Sequence, residues 1–117
     1  MQSVKERLNH LNQLIVEGKA LEGFDLYYDD NVVMQENELQ PTMGKEANRL
    51  REIDFFSSIT EFRGASVSEI GFGENISFAK WHFDYTHKDW GLRKYTQVNV
   101  QHWKDGKIVK EQFFYGN

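Results

Sequence analysis

The sequence predicts an α+β fold in which a curved, mixed but mainly antiparallel sheet wraps around three N-terminal helices. Three observations predict it. Before Thr60, apolar side chains recur at helical spacing. After Thr60 the pattern alternates with period two through four long stretches. The breaks between those stretches, "GEN", "KDWG" and "KDG", carry turn chemistry. Helices segregated from a strand meander make a layered α+β architecture. Strands this long in a chain of 117 residues should curl around the helices.

Each element has its own signal. Residues 3–16 place Val4, Leu8, Leu11 and Ile15 on one helical face, with Leu14 beside it. Ser3 caps this helix, Glu6 completes a capping box and Gly18 ends it. "KALEGFDLYYDD" predicts a second short helix with Leu21, Phe24 and Tyr28 on one side, although Tyr27 and Tyr28 compete for one inward place. "NVVMQEN" reads as a strand and "ELQPTMG" as a loop holding the sole proline. "KEANRLREIDFFSSI" predicts a third helix, with Ala47, Leu50, Ile53 or Asp54, and the Phe55-Phe56 pair inward. "EFRGASVSEIGFG", "ISFAKWHFDYTH", "LRKYTQVNVQHW" and "KIVKEQFFYG" complete the chain as antiparallel strands.

Length suggests a single domain over 1–117 that can bury roughly two thirds of its unfolded surface. Cysteine is absent, which excludes thiol catalysis and disulfides. No leader-like or membrane-length apolar run occurs, so the expectation is a soluble, cytoplasmic protein with no membrane partner. Net charge is -4 and the basic residues are scattered, which argues against nucleic acid. Aromatic content is 15%, enough to fill a core or to wall an apolar cavity. His10, His82, His87 and His102 lack ligand spacing, and no phosphate-loop, dinucleotide or nucleophile-elbow motif occurs, so neither metal nor cofactor is expected.

The sheet can be phased from its side chains. Trp81, Phe83 and Tyr85 share one face of their strand, opposite Lys80, His82 and Asp84, so the aromatic face is the inner one. On the last strand, Lys110 and Gln112 outside drives Val109, Glu111, Phe113 and Tyr115 inside. "TQVNVQHW" alternates a row of amides, Gln97, Asn99 and Gln101, with Val98 and Val100. Which row faces inward depends on the turn "KDG". A three-residue loop sets Asn99 across from Glu111, amides inward; a two-residue type I′ turn slips the register by one and turns Asn99 outward.

"LYYDDNVVMQEN", "GKEANRLREIDFF" and "VQHWKDGKIVKEQFFYG" resemble the SnoaL-like branch of the nuclear-transport-factor-2-like superfamily, from about Leu8 to Tyr115. The resemblance implies a cone-shaped α+β barrel with a pocket at its wide end, and commonly a dimer, sheet against sheet. The superfamily includes polyketide cyclases and ketosteroid isomerase. Aligned on the closing strands, Asn99 falls where the isomerase carries its hydrogen-bonding aspartic acid, and Glu111, Phe113 and Tyr115 fall on its pocket-facing row. That favours the three-residue loop and inward amides. The isomerase's oxyanion tyrosine matches Leu11, and its base falls near Gln35 or Glu36. One fold hosts many functions, so the activity does not follow from the fold.

The expected site follows. Glu111, desolvated among aromatics, would serve as general base, with Asn99 orienting a substrate carbonyl and Glu36 as a second acid. Tyr28, Trp81, Phe83, Tyr85, Tyr95, Gln97, Gln101, Phe113 and Tyr115 would bind a small apolar molecule. Val98, Val100 and Phe114 on the outer face would be covered in a homodimer. The expected function is proton transfer on an apolar carbonyl compound, of lyase, isomerase or cyclase type. The alternatives are a non-catalytic binding module or a dimeric interaction module.

Overall fold

A computed structural model describes residues 3–116. Its elements run α1 (Val4–Val16), α2 (Ala20–Tyr27), β1 (Tyr28–Glu36), β2 (Thr42–Met43), α3 (Lys45–Ser57), β3 (Ile59–Phe72), β4 (Ile76–His87), β5 (Gly91–Lys104) and β6 (Lys107–Tyr115). The six strands form one sheet in the order β2-β1-β6-β5-β4-β3. Strands β3 to β6 make the antiparallel meander that the alternation predicts, and β1 joins β6 in parallel. No helix among the described residues is long and apolar enough to cross a membrane.

The expected capping box is present: Ser3 accepts from the Glu6 amide and the Glu6 carboxylate accepts from Ser3. The face of α1 carrying Leu8 and Leu11 meets Phe24 and Tyr27 of α2, Tyr28, Val32 and Met34 of β1, and Trp103 and Ile108 across the sheet. That cluster fills the narrow end of the cone. The second helix stops at Tyr27 rather than continuing through the aspartates. Its successor, Tyr28, is extended and opens β1 three residues before the expected start. This resolves the competition between the tyrosines. Tyr27 packs with His10 and Trp103, and Tyr28 stacks on Phe24 at 4.6 Å and turns toward the interior.

Two further sequence expectations need correction. The first is the phase of α3. Ala47 faces solvent, Leu50 borders the cavity but stays 63% exposed rather than packing into a core, and the one buried residue is Asn48. The Asn48 amide donates to the carbonyls of Thr42 (3.0 Å) and Gly44 (2.8 Å), tying α3 to the β2 edge. The inward stripe continues through Glu52 and Phe55. Polar satisfaction at Asn48, not apolar area, sets the rotation.

The second is the hairpin. Asp105 and Gly106 both have positive φ (52° and 78°), the signature of a two-residue type I′ turn, and Lys104 pairs with Lys107. Left uninterrupted, that turn would send the amides outward. A register shift follows immediately: Trp103 pairs with Ile108, but His102 pairs with Lys110. The extra residue is a β-bulge on β6, and it restores the inward phase of the amides. It also turns Ile108, expected outside, into a fully buried core residue. In the resulting register Glu111 faces Gln101, and Asn99 faces Phe113. The inner row is therefore the expected one, displaced by two residues from the pairing of a three-residue loop.

Candidate functional site

Above the narrow-end core, the curled sheet and the three helices border an open cavity of about 1370 Å³. Its walls include Tyr28, Glu36, Phe83, Tyr85, Tyr95, Gln97, Asn99, Glu111, Phe113 and Tyr115, all expected from the sequence. Two expected lining residues lie elsewhere. Trp81 is buried, stacked on Phe83 at 5.4 Å, and Gln101 is buried behind Glu111; neither reaches the cavity. Gln101 sits nearer the apex, where the core cluster closes over the inner row, whereas Trp81 lies across from Gln97 and is covered by its neighbours.

At the floor of the cavity is a buried polar chain. Trp103 Nε1 donates to Ser77 Oγ (2.8 Å), and Ser77 Oγ donates to Gln101 Oε1 (2.7 Å). Gln101 Nε2 donates to Glu111 Oε2 (2.8 Å), and the Tyr28 hydroxyl donates to Glu111 Oε1. The strands dictate this sequence of contacts, because Ser77 pairs with Gln101 across β4–β5 and Gln101 pairs with Glu111 across β5–β6. Every link has one donor and one acceptor, so the chain orients the Gln101 amide and aims it at the carboxylate. Glu111 is 1% exposed. Burial pushes its carboxyl up to about 7, against the opposing pull of the Tyr28 and Gln101 hydrogen bonds. Each carboxylate oxygen keeps a second lone pair, and the residue borders the cavity.

Glu52 was not expected. It comes from the inward stripe of α3, lines the same cavity and is half-buried. Burial, and secondarily the nearby Glu111 and Glu36 charges, push its carboxyl up to about 7. A glutamate in "RLREIDFF" reads as a solvated helical residue, and only the true phase of α3 reveals it. Glu36 is arranged differently. Tyr115 Oη donates to its Oε1 (3.0 Å), and Arg51 Nη2 pairs with its Oε2 (3.0 Å). Its neighbour Gln35 turns to the Leu39 carbonyl, so Glu36 is the member of that pair that engages the tyrosine row.

The middle wall is amide and phenol. Gln97 Nε2 donates to Asn99 Oδ1 (2.7 Å), leaving the Asn99 amide nitrogen available to an acceptor in the cavity. The Tyr85 and Tyr95 hydroxyls are 2.7 Å apart, and Tyr95 packs 5.7 Å from Tyr115. Burial raises both the Tyr95 and Tyr115 hydroxyls, the latter to about 12, so both remain neutral donors at physiological pH. No group of acidic and imidazole side chains among the described residues is arranged to hold a metal ion.

A curled, open six-stranded sheet with three helices packed against it has the nuclear-transport-factor-2-like cone fold. The chain belongs to the SnoaL-like domain family, whose model matches residues 2–115. Among solved structures, a candidate SnoaL-like polyketide cyclase from Mesorhizobium loti superposes with a TM-score of 0.88 at 24% identity, covering 97% of this chain and 100% of that one. A nuclear-transport-factor-2-like protein of unknown function from Burkholderia xenovorans gives 0.77 at 18% identity, covering 97% and 82%. A candidate isomerase from Rhodopseudomonas palustris gives 0.69 at 12% identity, covering 100% and 92%. A comparison with curated proteins returns no match. Likeness at these identities establishes the fold alone.

Proposed function

We propose that this chain binds a small apolar carbonyl compound in the cone and moves a proton on it, with Glu111 as the base. The observation that carries the reading is the Glu111 carboxyl: it borders the cavity, it is shielded from solvent, and its pKa of about 7 matches a group that must both take and give a proton near neutral pH. Asn99 supplies a neutral donor for the substrate oxygen, where negative charge develops as the proton leaves carbon. Tyr28 holds Glu111 from behind. Glu52, on the opposite wall, is a second carboxyl able to return the proton. Glu36 is tied to Arg51, so its role is to hold Tyr115 rather than to exchange protons.

One observation favours a second reading. Both Glu111 oxygens already have partners, so the polar chain is complete without a substrate and can serve structure alone. The domain would then be a binding module that performs no chemistry.

Glu111→Gln separates the two. The substitution is sterically conservative, and its amide can accept from Gln101 and donate to the Tyr28 oxygen. Folding should persist, and turnover of any carbonyl substrate should fall by about a thousandfold or more. Undiminished turnover in that variant ends the catalytic reading. Binding that is retained with no turnover in either protein supports the module.

A further inference from the structure

We propose that the wide end of the cavity contains an anion-recognition site built on Arg93, and that the molecule accommodated by the cone is elongated and apolar with a carboxylate at its outer end. The inference rests on the reading of the cavity as a small-molecule site and names the substrate class.

Arg93 continues the inner row of β5, two residues beyond Tyr95, and it lines the cavity. The chain has five arginines. Four have acceptors: Arg7 on the Gly106 carbonyl, Arg49 on Asp25, Arg51 on Glu36, and Arg63 on Glu61 and Asp84. Arg93 has none among the described residues, and its Nε is buried without a hydrogen-bond partner. A buried guanidinium donor without an acceptor is costly, and native chains rarely leave one. A ligand oxygen would supply the missing acceptor.

The surroundings hold the guanidinium ready. Its Cζ lies 5.3 Å from the Tyr95 ring centroid, a cation–π placement that fixes the group without using its donors. Tyr85, the cross-strand neighbour of Arg93, shares a hydroxyl pair with Tyr95. The planar fork of arginine matches a carboxylate in two parallel hydrogen bonds. Of the carboxylates that border the cavity, Glu36 is ion-paired to Arg51, and Glu52, Asp54, Asp89 and Glu111 make no hydrogen bond or ion pair with Arg93.

The spacing defines the shape of the ligand. Glu111 pairs with Gln101, and Arg93 lies further along the same strand, a contour of about 25 Å that the curl of the sheet shortens through space. Between them lie Gln97, Asn99, Phe83 and Phe113, a mostly aromatic wall with one amide pair. A molecule spanning the cavity therefore meets a base and an oxygen-binding amide at the inner end, an apolar middle, and a cation at the mouth.

The test measures binding of octanoate, decanoate and 6-phenylhexanoate against their methyl esters by titration calorimetry. The wild-type chain should bind at least one acid about tenfold or more tighter than its ester. Arg93→Gln should abolish that preference while ester binding stays the same. Arg93→Lys, which keeps the charge but not the fork, should retain part of it. The Arg93 side chain makes no hydrogen bond among the described residues, so the thermal unfolding midpoint should be unchanged or raised in both variants. Equal affinity for acid and ester in the wild type, or an acid preference that survives Arg93→Gln, overturns the inference and leaves the small-molecule reading standing. Failure of every acid and every ester to bind overturns both. Loss of turnover with intact acid binding in Glu111→Gln shows that the two ends act independently.

Discussion

The burial that lifts the Glu111 carboxyl to about 7 also links its ionisation to folding. Unfolded, the group returns to its ordinary value of 4.5. Between those values the folded chain holds a proton that the unfolded chain has released. Stability contributed by this residue is therefore full below about 4.5 and falls as pH rises, levelling off above about 7. A shift of this size corresponds to ~3 kcal/mol for Glu111. Glu52 is shifted in the same direction and adds to the same slope. Urea unfolding of the wild type should thus show a midpoint that declines from pH 4.5 toward 7. Glu111→Gln should remove about half of the decline, since Glu52 carries a shift of the same size. Parallel pH profiles for the two proteins would mean that the carboxyl is not desolvated in the fold, and the case for a tuned base would fail with it.

At the scale of elements, the β5–β6 hairpin decides which residues meet. Its two-residue turn and the bulge after it work as a unit: the turn alone would point Asn99 and Gln101 at solvent, and the bulge turns them back. Gly106 occupies a left-handed position that side chains resist, and a Cβ there would lie 2.8 Å from the Arg7 guanidinium carbon. Gly106→Ala should destabilise the fold by about 1–2 kcal/mol, read from denaturant midpoints, with no change in which residues line the cavity. The same hairpin shows what was legible beforehand. The inner face of β4 followed from alternation alone, because Trp81 and Tyr85 share the side opposite a row of Lys, His and Asp that belongs in water; that of β5 did not, because a row of amides faces a row of valines. The register did not follow, because nothing in "HWKDGKIV" distinguishes a three-residue loop from a tight turn compensated by a bulge. The phase of α3 was illegible for a related reason. One side of this helix borders a cavity rather than a packed core, so Leu50 stays exposed at the cavity wall, Ile53 is not drawn inward, and a single buried asparagine anchors the helix. Glu52 was missed with that phase. Arg93 was within reach: it falls on the same odd-numbered row as Tyr95, Gln97 and Asn99, and extending the row by one more position would have found it.

The whole molecule presents one sheet with two unlike faces. The inner face bounds the cavity; the outer carries Phe78, Val98, Val100 and Phe114, in which Phe78 pairs with Val100 and Val98 with Phe114. Phe78 and Phe114 are 41% and 40% exposed, so the cluster forms a continuous apolar stripe across the three central strands. Lys80, His102 and Lys110 flank it and would form a polar rim. A stripe of this kind on a small domain is a surface that association would bury, and a two-fold axis lets one stripe cover its own copy. We propose a homodimer through this face. Light scattering at micromolar concentration should give twice the chain mass of 13.8 kDa. Phe114→Lys should weaken the dimer by a factor on the order of 100, since an ammonium would be desolvated at the centre of the contact. Because Phe114 points away from the cavity while its neighbours Phe113 and Tyr115 point into it, the monomeric variant should keep its ligand affinity. A wild-type chain that is monomeric throughout the micromolar range would leave the stripe without this partner. A Phe114→Lys variant that loses ligand binding along with the dimer would show instead that the two faces are coupled through β6, with the curvature of the sheet, and so the width of the cone, set by what lies against its back.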